Sequence, residues 1–256
     1  MNLSNLQTQA TKAARAAHET LLNFTQDAGI VSNAGKDIKT LADEAAQQAI
    51  FEHLRPTGIH ILSEEDPASH TFNKDTPLWI VDPLDGTMNF SRQFPVWCIS
   101  IALWQQGEPK LGIILDPLNG NLFSGSVEQN AANNENPIQV STHTDPAQAV
   151  LATGFPSKRD FSEDSLNQTA RFNARFKKIR MIGSAALSLA YVAQGTFDLY
   201  YEQGIWLWDV AAGLAIVKAA GGEYIISNLT DDLRATVIAG PKSLVDEARQ
   251  TRLLSQ

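Results

Sequence analysis

The sequence predicts a layered α/β protein, because segments of strand length alternate with segments that carry apolar residues at helical spacing. Helical spacing runs over 3–26 and over about 40–54, and strands alternate with helices from about 148 onward. The 256 residues, 43% of them hydrophobic, suffice for one large core or two closely packed lobes. We therefore expect a single domain, 1–256, with an α+β subdomain at about 1–140 and an α/β subdomain at 141–256.

The first half is predicted to contain two helices followed by five strands. Leu3 to Phe24 and Leu41 to Leu54 each place apolar residues on one helical face. The predicted strands cover 59–63, 78–82, 96–104, 110–115 and 121–126, with a hairpin loop at 105–108. The stretch 128–137 is polar, rich in asparagine and lacks apolar periodicity. We expect it to be a loop that marks the subdomain boundary.

In the second half, strands and helices alternate. The predicted strands lie near 148–153, 178–182, 197–201, 223–227 and 235–239, and the predicted helices at 162–175, 184–194, 208–220 and from 241. Ala211, Ala212 and Gly213 in the third of these helices are small enough to let another backbone approach closely.

Composition restricts the class of protein. A net charge of −8 argues against a general nucleic-acid binder, which usually has a basic face. The single cysteine, Cys98, cannot form an intramolecular disulfide, suits a reducing compartment and lies in an apolar run typical of a core. There is no signal-peptide pattern and no apolar run of about 20 residues. We expect a soluble cytoplasmic protein without nucleic-acid or membrane partners.

The segment 79–90, WIVDPLDGTMNF, is the most informative part of the chain. An apolar strand ends there in two carboxylates, Asp82 and Asp85. Buried carboxylates are costly unless a cation meets them, and Mg²⁺ prefers hard oxygen ligands. An acidic turn that caps the next helix is an equally good interpretation from the pattern alone. Carboxylates elsewhere in the chain are needed to distinguish the metal site from the helix-capping turn.

Two further carboxylates lie at the ends of apolar elements, one after a predicted strand and one at the start of a predicted helix. Glu64 lies in the acidic run 63–66 that closes a short strand, where a solvated turn is the more common outcome. Asp209 opens an apolar helix, and it either stabilises that helix end or points at a metal. The sequence contains no HExxH, G-x-S-x-G, P-loop or G-x-G-x-x-G motif. Zinc-peptidase, serine-esterase and nucleotide-binding functions are therefore weakly supported.

Helix starts at Gly86-Thr87 and Gly183-Ser184 offer free amides, which suit phosphate or ordinary capping. Lys158, Arg159 and Arg180 are candidate positive charges for an anionic substrate, although isolated basic residues are usually solvated.

Taken together, these segments resemble the inositol monophosphatase family of Mg²⁺-dependent, lithium-sensitive sugar phosphatases. The signature W-I-[IV]-D-P-[IL]-D-G-T-x-N-F is matched at 79–90, and W-D-x-A-A-G at 208–213. The runs 152–156 (ATGFP) and 183–195 (GSAALSLAYVAQG) are similar to bacterial members. The resemblance implies an α-β-α-β-α sandwich shared with fructose-1,6-bisphosphatases, usually as a homodimer.

The resemblance also implies a site with two or three Mg²⁺ ions. By position, the metal ligands would be Glu64, Asp82 as the bridge, the backbone carbonyl of Leu84, Asp85 and Asp209. Thr87 would orient the attacking water with Asp43 as its partner, and Glu65 would assist catalysis. The residues implied for substrate are Gly86, Thr87, Ser184, Ala185, Glu202 and Asp209.

The function implied is hydrolysis of a small phosphorylated polyol, with myo-inositol monophosphate as the default substrate. Fructose-1,6-bisphosphate, histidinol phosphate and a nucleotide bisphosphate are the alternatives within the enzyme class. The alternative of another class is a regulatory or binding protein that keeps the fold.

Four departures from the family pattern affect the periphery of the site. Ser32 stands where a lysine is usual, so Lys36 or Lys39 is the candidate replacement. The stretch 128–137 lacks the usual G-x-G-A-x-x-N pattern. The usual glycine-rich turn is missing after Tyr224. Trp206 replaces a smaller or polar group and is expected to reshape the pocket wall.

Overall fold

The computed structural model describes residues 2–24, 29–34, 37–70 and 76–251. Within these ranges the helices are α1 (Leu3–Leu21), α2 (Leu41–Leu54), α3 (Thr87–Ser91), α4 (Glu163–Asn173), α5 (Ala185–Ala193), α6 (Leu207–Ala219) and α7 (Lys242–Arg249). None of these helices combines the length and apolarity needed to cross a lipid bilayer.

The strands form two large sheets and one hairpin. The hairpin pairs β1 (Ile30–Ala34) with β2 (Asp37–Thr40). The seven-stranded sheet holds, in sequential order, β3 (His60–Ser63), β4 (Leu78–Asp85), β5 (Cys98–Gln105), β6 (Glu108–Asp116), β7 (Asn121–Ser126), β8 (Gln129–Asn133) and β9 (Asn136–Pro137). The five-stranded sheet has the order β11-β10-β12-β14-β13, formed by β10 (Val150–Thr153), β11 (Lys178–Arg180), β12 (Leu199–Trp206), β13 (Glu223–Ser227) and β14 (Arg234–Gly240).

Alternating side chains on the strands place helices on both faces of each sheet. Trp79 and Val81 of β4 pack with α1 and α2, whereas Leu78 and Ile80 pack with α5 and α6. Helices α5 and α6 also contact the inner face of the five-stranded sheet, and α4 and α7 cover its outer face. The five layers therefore run α-β-α-β-α, as the resemblance implied, because both faces of each sheet are apolar.

The prediction of a loop over 128–137 is wrong. The residues form β8 and β9, which extend the seven-stranded sheet. Ala131 is the one fully buried residue of β8. Backbone pairing and the Asn133–Asn121 hydrogen bond of 3.0 Å hold this edge hairpin. It therefore needs little apolar periodicity. The two-subdomain division near 140 stays a prediction.

Other elements differ from expectation at their ends. The first helix ends at Leu21 and continues as a 3₁₀ turn to Phe24, and positions 25–26 lie outside the described residues. Lys36 and the side chain of Lys39 also lie outside them. Helix α3 begins at Thr87, where the Gly86-Thr87 helix start was expected, whereas the β1–β2 hairpin was not predicted.

The small residues of α6 allow the close approach that the sequence predicted. A Cβ placed on Gly112 of β6 would lie 2.1 Å from the carbonyl oxygen of Ala212, and one on Gly213 would lie 2.4 Å from Leu189 Cβ. Helix α6 therefore lies directly against the backbone of the seven-stranded sheet, where it carries Asp209 towards the ends of β3 and β4.

Gly112→Ala is expected to destabilise the protein by about 3 kcal/mol or more, because the new methyl group meets backbone atoms that cannot move independently of α6. Chemical denaturation measures this change. The control Asn130→Ala, at an exposed position of β8, is expected to stay within about 0.5 kcal/mol. Equal stability of the two variants would contradict the close packing.

Candidate functional site

Three carboxylates from distant parts of the chain converge at the carboxyl ends of β3 and β4. One oxygen atom each from Glu64, Asp82 and Asp209 lies within 4.8 Å of the other two. Across the part of the chain that the structure describes, this is the one such group of three or more potential ligands. The spacing is compatible with a single ion bound between them.

Strand pairing and helix position explain the convergence. Strands β3 and β4 are parallel, with Ser63 opposite Val81, so Glu64 emerges beside Asp82 and its N–H donates to the Val81 carbonyl at 3.1 Å. The N–H of Leu84 donates to Asp82 Oδ1 at 3.0 Å and fixes that carboxylate. Asp209 lies in the first turn of α6, where the helix dipole favours negative charge.

The cluster brings three acidic groups close together. Burial raises the pKa of Glu64 to about 8, with the neighbouring charges of Glu65 and Asp43 adding to the effect. Burial, followed by the charge of Glu64, also raises the pKa values of Asp82 and Asp209 well above their usual range. None of the described Lys, Arg or His side chains forms an ion pair with these carboxylates. An all-oxygen donor set of this charge fits a hard divalent cation.

Asp85 lies next to the three carboxylates and is held by helix α5. Its Oδ2 atom accepts from Ser184 Oγ at 2.5 Å, from the N–H of Ala186 at 2.8 Å and from Cys98 Sγ at 3.7 Å. Burial raises the pKa of Asp85 to about 6, although these hydrogen bonds oppose the shift. These three hydrogen bonds all reach Oδ2 and fix the orientation of the carboxylate.

Ser184 and Ala185, predicted to line the substrate pocket, contact Asp85 in this structure. The Ser184 hydroxyl also accepts from the N–H of Leu187 at 3.2 Å and caps α5. The first amides of α5 are therefore used by Asp85 and the cap, which favours capping over phosphate binding at this helix end. The predicted contact of both residues with substrate stays a prediction.

Ser184→Ala is expected to weaken Mg²⁺ binding about 10- to 100-fold, because Asp85 loses the hydroxyl that orients it. Isothermal titration calorimetry with MgCl₂ measures the affinity. Ser162→Ala is a matched control, since Ser162 caps α4 in the same way and lies on a different helix. Equal effects of the two variants on Mg²⁺ affinity would contradict the role of Ser184 in orienting Asp85.

Thr87 and Asp43 form the hydrogen-bonded pair that the resemblance implied. Thr87 Oγ1 lies 3.0 Å from both Asp43 Oδ1 and the carbonyl oxygen of Leu84. The other carboxylate oxygen, Asp43 Oδ2, accepts from the N–H of Thr40 at 2.7 Å and from its hydroxyl at 2.5 Å. This capping box at the start of α2 fixes Asp43, and the T-x-x-D pattern at 40–43 was its sequence signal.

Burial raises the pKa of Asp43 to about 6, against the hydrogen bonds from Thr40, and the half-buried Glu65 adds to the rise. Gly86 joins β4 to α3 with φ of 93°, and a Cβ there would lie 2.9 Å from the Val96 carbonyl oxygen. Glycine is therefore required at this turn, which carries Thr87 next to Asp43.

Glu202 lies on β12 and is buried beside Gly154. A Cβ on Gly154 would lie 2.6 Å from Glu202 Oε1, so this glycine provides the space for the carboxyl group. Burial raises the pKa of Glu202 to about 8, and the charge of Asp85 contributes. The structure thus places Glu202 near Asp85, although the two are 117 positions apart in the sequence.

An aromatic stack beside the carboxylates was not predicted. The His70 ring lies 5.0 Å from that of Trp208, and Trp208 stacks on Trp206 at 4.7 Å and 11°. His70 Nε2 lies 2.8 Å from the Ser63 carbonyl oxygen, which anchors the stack next to Glu64. Trp206 had been noted as a departure from the family pattern, but no spacing signal links it to His70.

The three basic residues expected to be solvated, Lys158, Arg159 and Arg180, differ in their exposure to solvent. Lys158 and Arg180 are exposed, and Arg180 donates only to the Ile179 carbonyl among the described contacts. Arg159 is only 5% exposed, so that expectation is wrong for this residue. Its side chain packs between aromatic rings and helix α4, which the sequence alone does not reveal.

Comparison with known proteins identifies the family to which this chain is similar. A model described as the inositol monophosphatase family matches residues 2–254. A protein of Xylella fastidiosa named Nus factor SuhB is 39% identical over 91% of this chain and 85% of its own length. Inositol monophosphatase 3 of Solanum lycopersicum is 38% identical over 93% of this chain and 92% of its own. The solved structure of an inositol monophosphatase from Anabaena superposes with a TM-score of 0.83 at 32% identity, covering 100% of this chain and 99% of that one.

Proposed function

This chain belongs to the inositol monophosphatase family, and we propose that it is a Mg²⁺-dependent phosphatase acting on a small phosphorylated polyol, with myo-inositol monophosphate as its substrate. The observation that carries the proposal is the convergence of Glu64, Asp82 and Asp209 within 4.8 Å, without a described basic partner. Family membership supports a phosphatase, and the donor set supports a divalent metal.

In this proposal, two or three Mg²⁺ ions bind per site. Glu64, Asp82 and Asp209 would hold one ion, and Asp85 Oδ1 with the Leu84 carbonyl would contribute to the others. When bound, the metal lowers the pKa of a coordinated water and neutralises phosphoryl oxygens. No covalent nucleophile is needed, in keeping with the buried position of Cys98.

The chain itself would orient the attacking water through Thr87. Its hydroxyl has one proton and two acceptors at 3.0 Å, Asp43 Oδ1 and the Leu84 carbonyl. Donation to either acceptor leaves the lone pairs of Oγ1 available to accept a hydrogen bond from the water. Thr40 keeps Asp43 in place by binding its other oxygen, and Glu65 would assist from its half-buried position.

Substrate contacts are proposed on the other side of the cluster. The amides of Gly86 and Thr87 would bind the phosphate, while Ser184 and Ala185 would line the ring pocket. Glu202 would bind a ring hydroxyl, with Asp209 contacting the substrate beside the metal. A carboxyl group with a pKa of about 8 is protonated at neutral pH, so Glu202 both donates to and accepts from a polyol hydroxyl.

A phosphate-release screen tests the substrate. The compounds are myo-inositol monophosphate, fructose-1,6-bisphosphate, histidinol phosphate and a nucleotide bisphosphate, each with Mg²⁺ and with or without Li⁺. We expect the largest kcat/KM for the inositol ester and inhibition by Li⁺. If no compound releases phosphate, the proposal is contradicted. If another ester gives the largest kcat/KM, that ester replaces myo-inositol monophosphate as the proposed substrate.

Two further properties belong to the proposal. We expect a homodimer, which sedimentation velocity tests directly. We expect a cytoplasmic location, which is supported by the buried single thiol of Cys98 and is tested by cell fractionation.

A regulatory or binding role is the second candidate function. It is favoured by relatives that carry the name Nus factor SuhB, one of them 39% identical to this chain. If the screen detects no hydrolysis while the protein binds Mg²⁺ normally, this candidate becomes the better explanation.

A further inference from the structure

A basic cavity lies at the ends of β12 and β14, separate from the acidic cluster. Its volume is about 350 Å³. Three cationic side chains, Lys158, Arg159 and Arg234, line it together with one carboxylate, Asp160. Such an excess of positive charge is unusual in a chain of net charge −8.

The cavity and the acidic cluster lie on opposite faces of β12. Glu202 packs against Gly154 beside Asp85, whereas the next residue, Gln203, contacts Arg159 and Ser165 on the side of α4. Successive side chains of a strand point to opposite faces of the sheet. The residues that line the cavity do not include any of the proposed metal or substrate ligands, although the charges of Arg159 and Glu202 interact across the strand.

Arg159 is the central feature of the cavity, since its side chain is only 5% exposed. The guanidinium carbon lies 4.7 Å from the centre of the Phe155 ring and 5.8 Å from that of Phe161. Nη2 donates to Thr169 Oγ1 at 2.9 Å and to Ser165 Oγ at 3.3 Å. Packing and hydrogen bonds thus hold this cation in one orientation.

The buried charge of Arg159 lacks a carboxylate partner. In the ranges that the structure describes, no Asp or Glu oxygen lies within 4.0 Å of its guanidinium nitrogens. Its hydrogen bonds there start from Nε and Nη2, with none from Nη1. The charges of Asp160 and Glu202 act on this cation only from beyond ion-pair distance, so an anion in direct contact with it would further offset the cost of its burial.

Arg234 is also fixed in position at the cavity. It pairs with Asp232 at 2.8 Å and donates from Nη1 to the Lys158 carbonyl at 2.9 Å. Its guanidinium lies over Trp206, with 5.6 Å to the ring centre. Asp160 accepts hydrogen bonds of 2.8 Å from the N–H and hydroxyl of Ser162, and its charge acts on Arg159 without forming an ion pair with it.

From these contacts we propose that the cavity is an anion-binding site for a phosphate group, either inorganic phosphate or a small phosphate monoester. Arg159 provides a preorganised, buried donor, and Lys158 and Arg234 add charge at the rim. Thr230 supplies a hydroxyl to the same cavity. Guanidinium groups are suited to phosphate because their donors form a planar fork.

Calorimetric titration of inorganic phosphate into the full-length protein in EDTA tests this proposal. Without metal, the acidic cluster repels phosphate, so binding reports on the cavity. We expect saturable binding with one site per chain. A parallel titration with glycerol 2-phosphate distinguishes the two ligand sources, and saturable binding of either compound supports the proposal.

The double variant Lys158→Gln/Arg234→Gln is expected to bind about tenfold more weakly or worse, since two charged donors are lost. The matched control Lys178→Gln/Arg180→Gln removes the same charge from the exposed strand β11 and is expected to bind as the wild type does. Arg159→Gln, shown to be folded by circular dichroism, should lose binding. No saturable binding by the wild type, or equal affinities of the double variant and its control, would overturn the proposal.

Discussion

Asp82→Asn is expected to lower kcat/KM for phosphate release by about 10³-fold, on the order of 4 kcal/mol at 1.36 kcal/mol per factor of ten. One oxygen atom of Asp82 lies within 4.8 Å of oxygen atoms of both Glu64 and Asp209, and the family resemblance implies that Asp82 is the bridge between metals. Asparagine keeps the shape of the side chain and removes its charge. The loss should therefore come from weakened metal binding.

The same variant has an opposite effect on the metal-free protein. Removing this acidic group should raise its Tm in EDTA, because burial, followed by mutual repulsion, raises the pKa values of Glu64 and Asp82 and makes their ionised forms costly. Mg²⁺ should then stabilise the variant less than it stabilises the wild type. Asp164→Asn, at an exposed position of α4, is the control and should change neither activity nor Tm. Full turnover by Asp82→Asn would contradict the site.

The metal-free protein is expected to lose stability as pH rises, by about 5 °C or more in Tm between about pH 5 and pH 8. Burial raises the pKa of Glu64 from 4.5 to about 8 and that of Asp85 from 3.8 to about 6. A carboxyl group with a raised pKa in the folded state binds more protons there than in the unfolded chain. Its stabilising effect is complete below its usual pKa and is lost as pH rises through the raised value.

Thermal denaturation in EDTA and in excess Mg²⁺, over this pH range, measures the effect. Mg²⁺ should restore Tm most strongly at the upper end of the range, where the carboxylates are ionised. Asp82→Asn should show a smaller pH slope in EDTA. A Tm in EDTA that rises with pH would contradict the electrostatic description of the cluster.

Many of the helices and strands could be predicted from apolar periodicity, whereas the order of the five layers was implied by the family resemblance. The helical faces of 3–24 and 41–54 and the buried run before Asp82 are found where the patterns placed them. Local sequence patterns do not show which strand ends are neighbours. The convergence of Glu64, Asp82 and Asp209 was therefore expected only from the family motifs. Their proposed roles as ligands still await measurement.

Features that depend on tertiary packing could not be predicted. The polar hairpin of β8 and β9 is held by backbone pairing, which leaves no periodic signal. The Ser184 hydroxyl donates a hydrogen bond to Asp85, which is 99 positions away in the sequence. The burial of Arg159 depends on Phe155 and Thr169, and the stack of His70 on Trp208 depends on the position of the turn after β3 relative to the first turn of α6.

An anomalous difference map from crystals soaked in MnCl₂ tests the central claim most directly, since Mn²⁺ accepts the same oxygen ligands as Mg²⁺. We predict a strong peak bounded by Glu64, Asp82 and Asp209, and a further peak beside Asp85. The Asp82→Asn crystal, soaked in the same way, should lose the first peak. Absence of any peak among these carboxylates, in crystals of protein that hydrolyses its substrate with Mn²⁺, would contradict the assignment of this site.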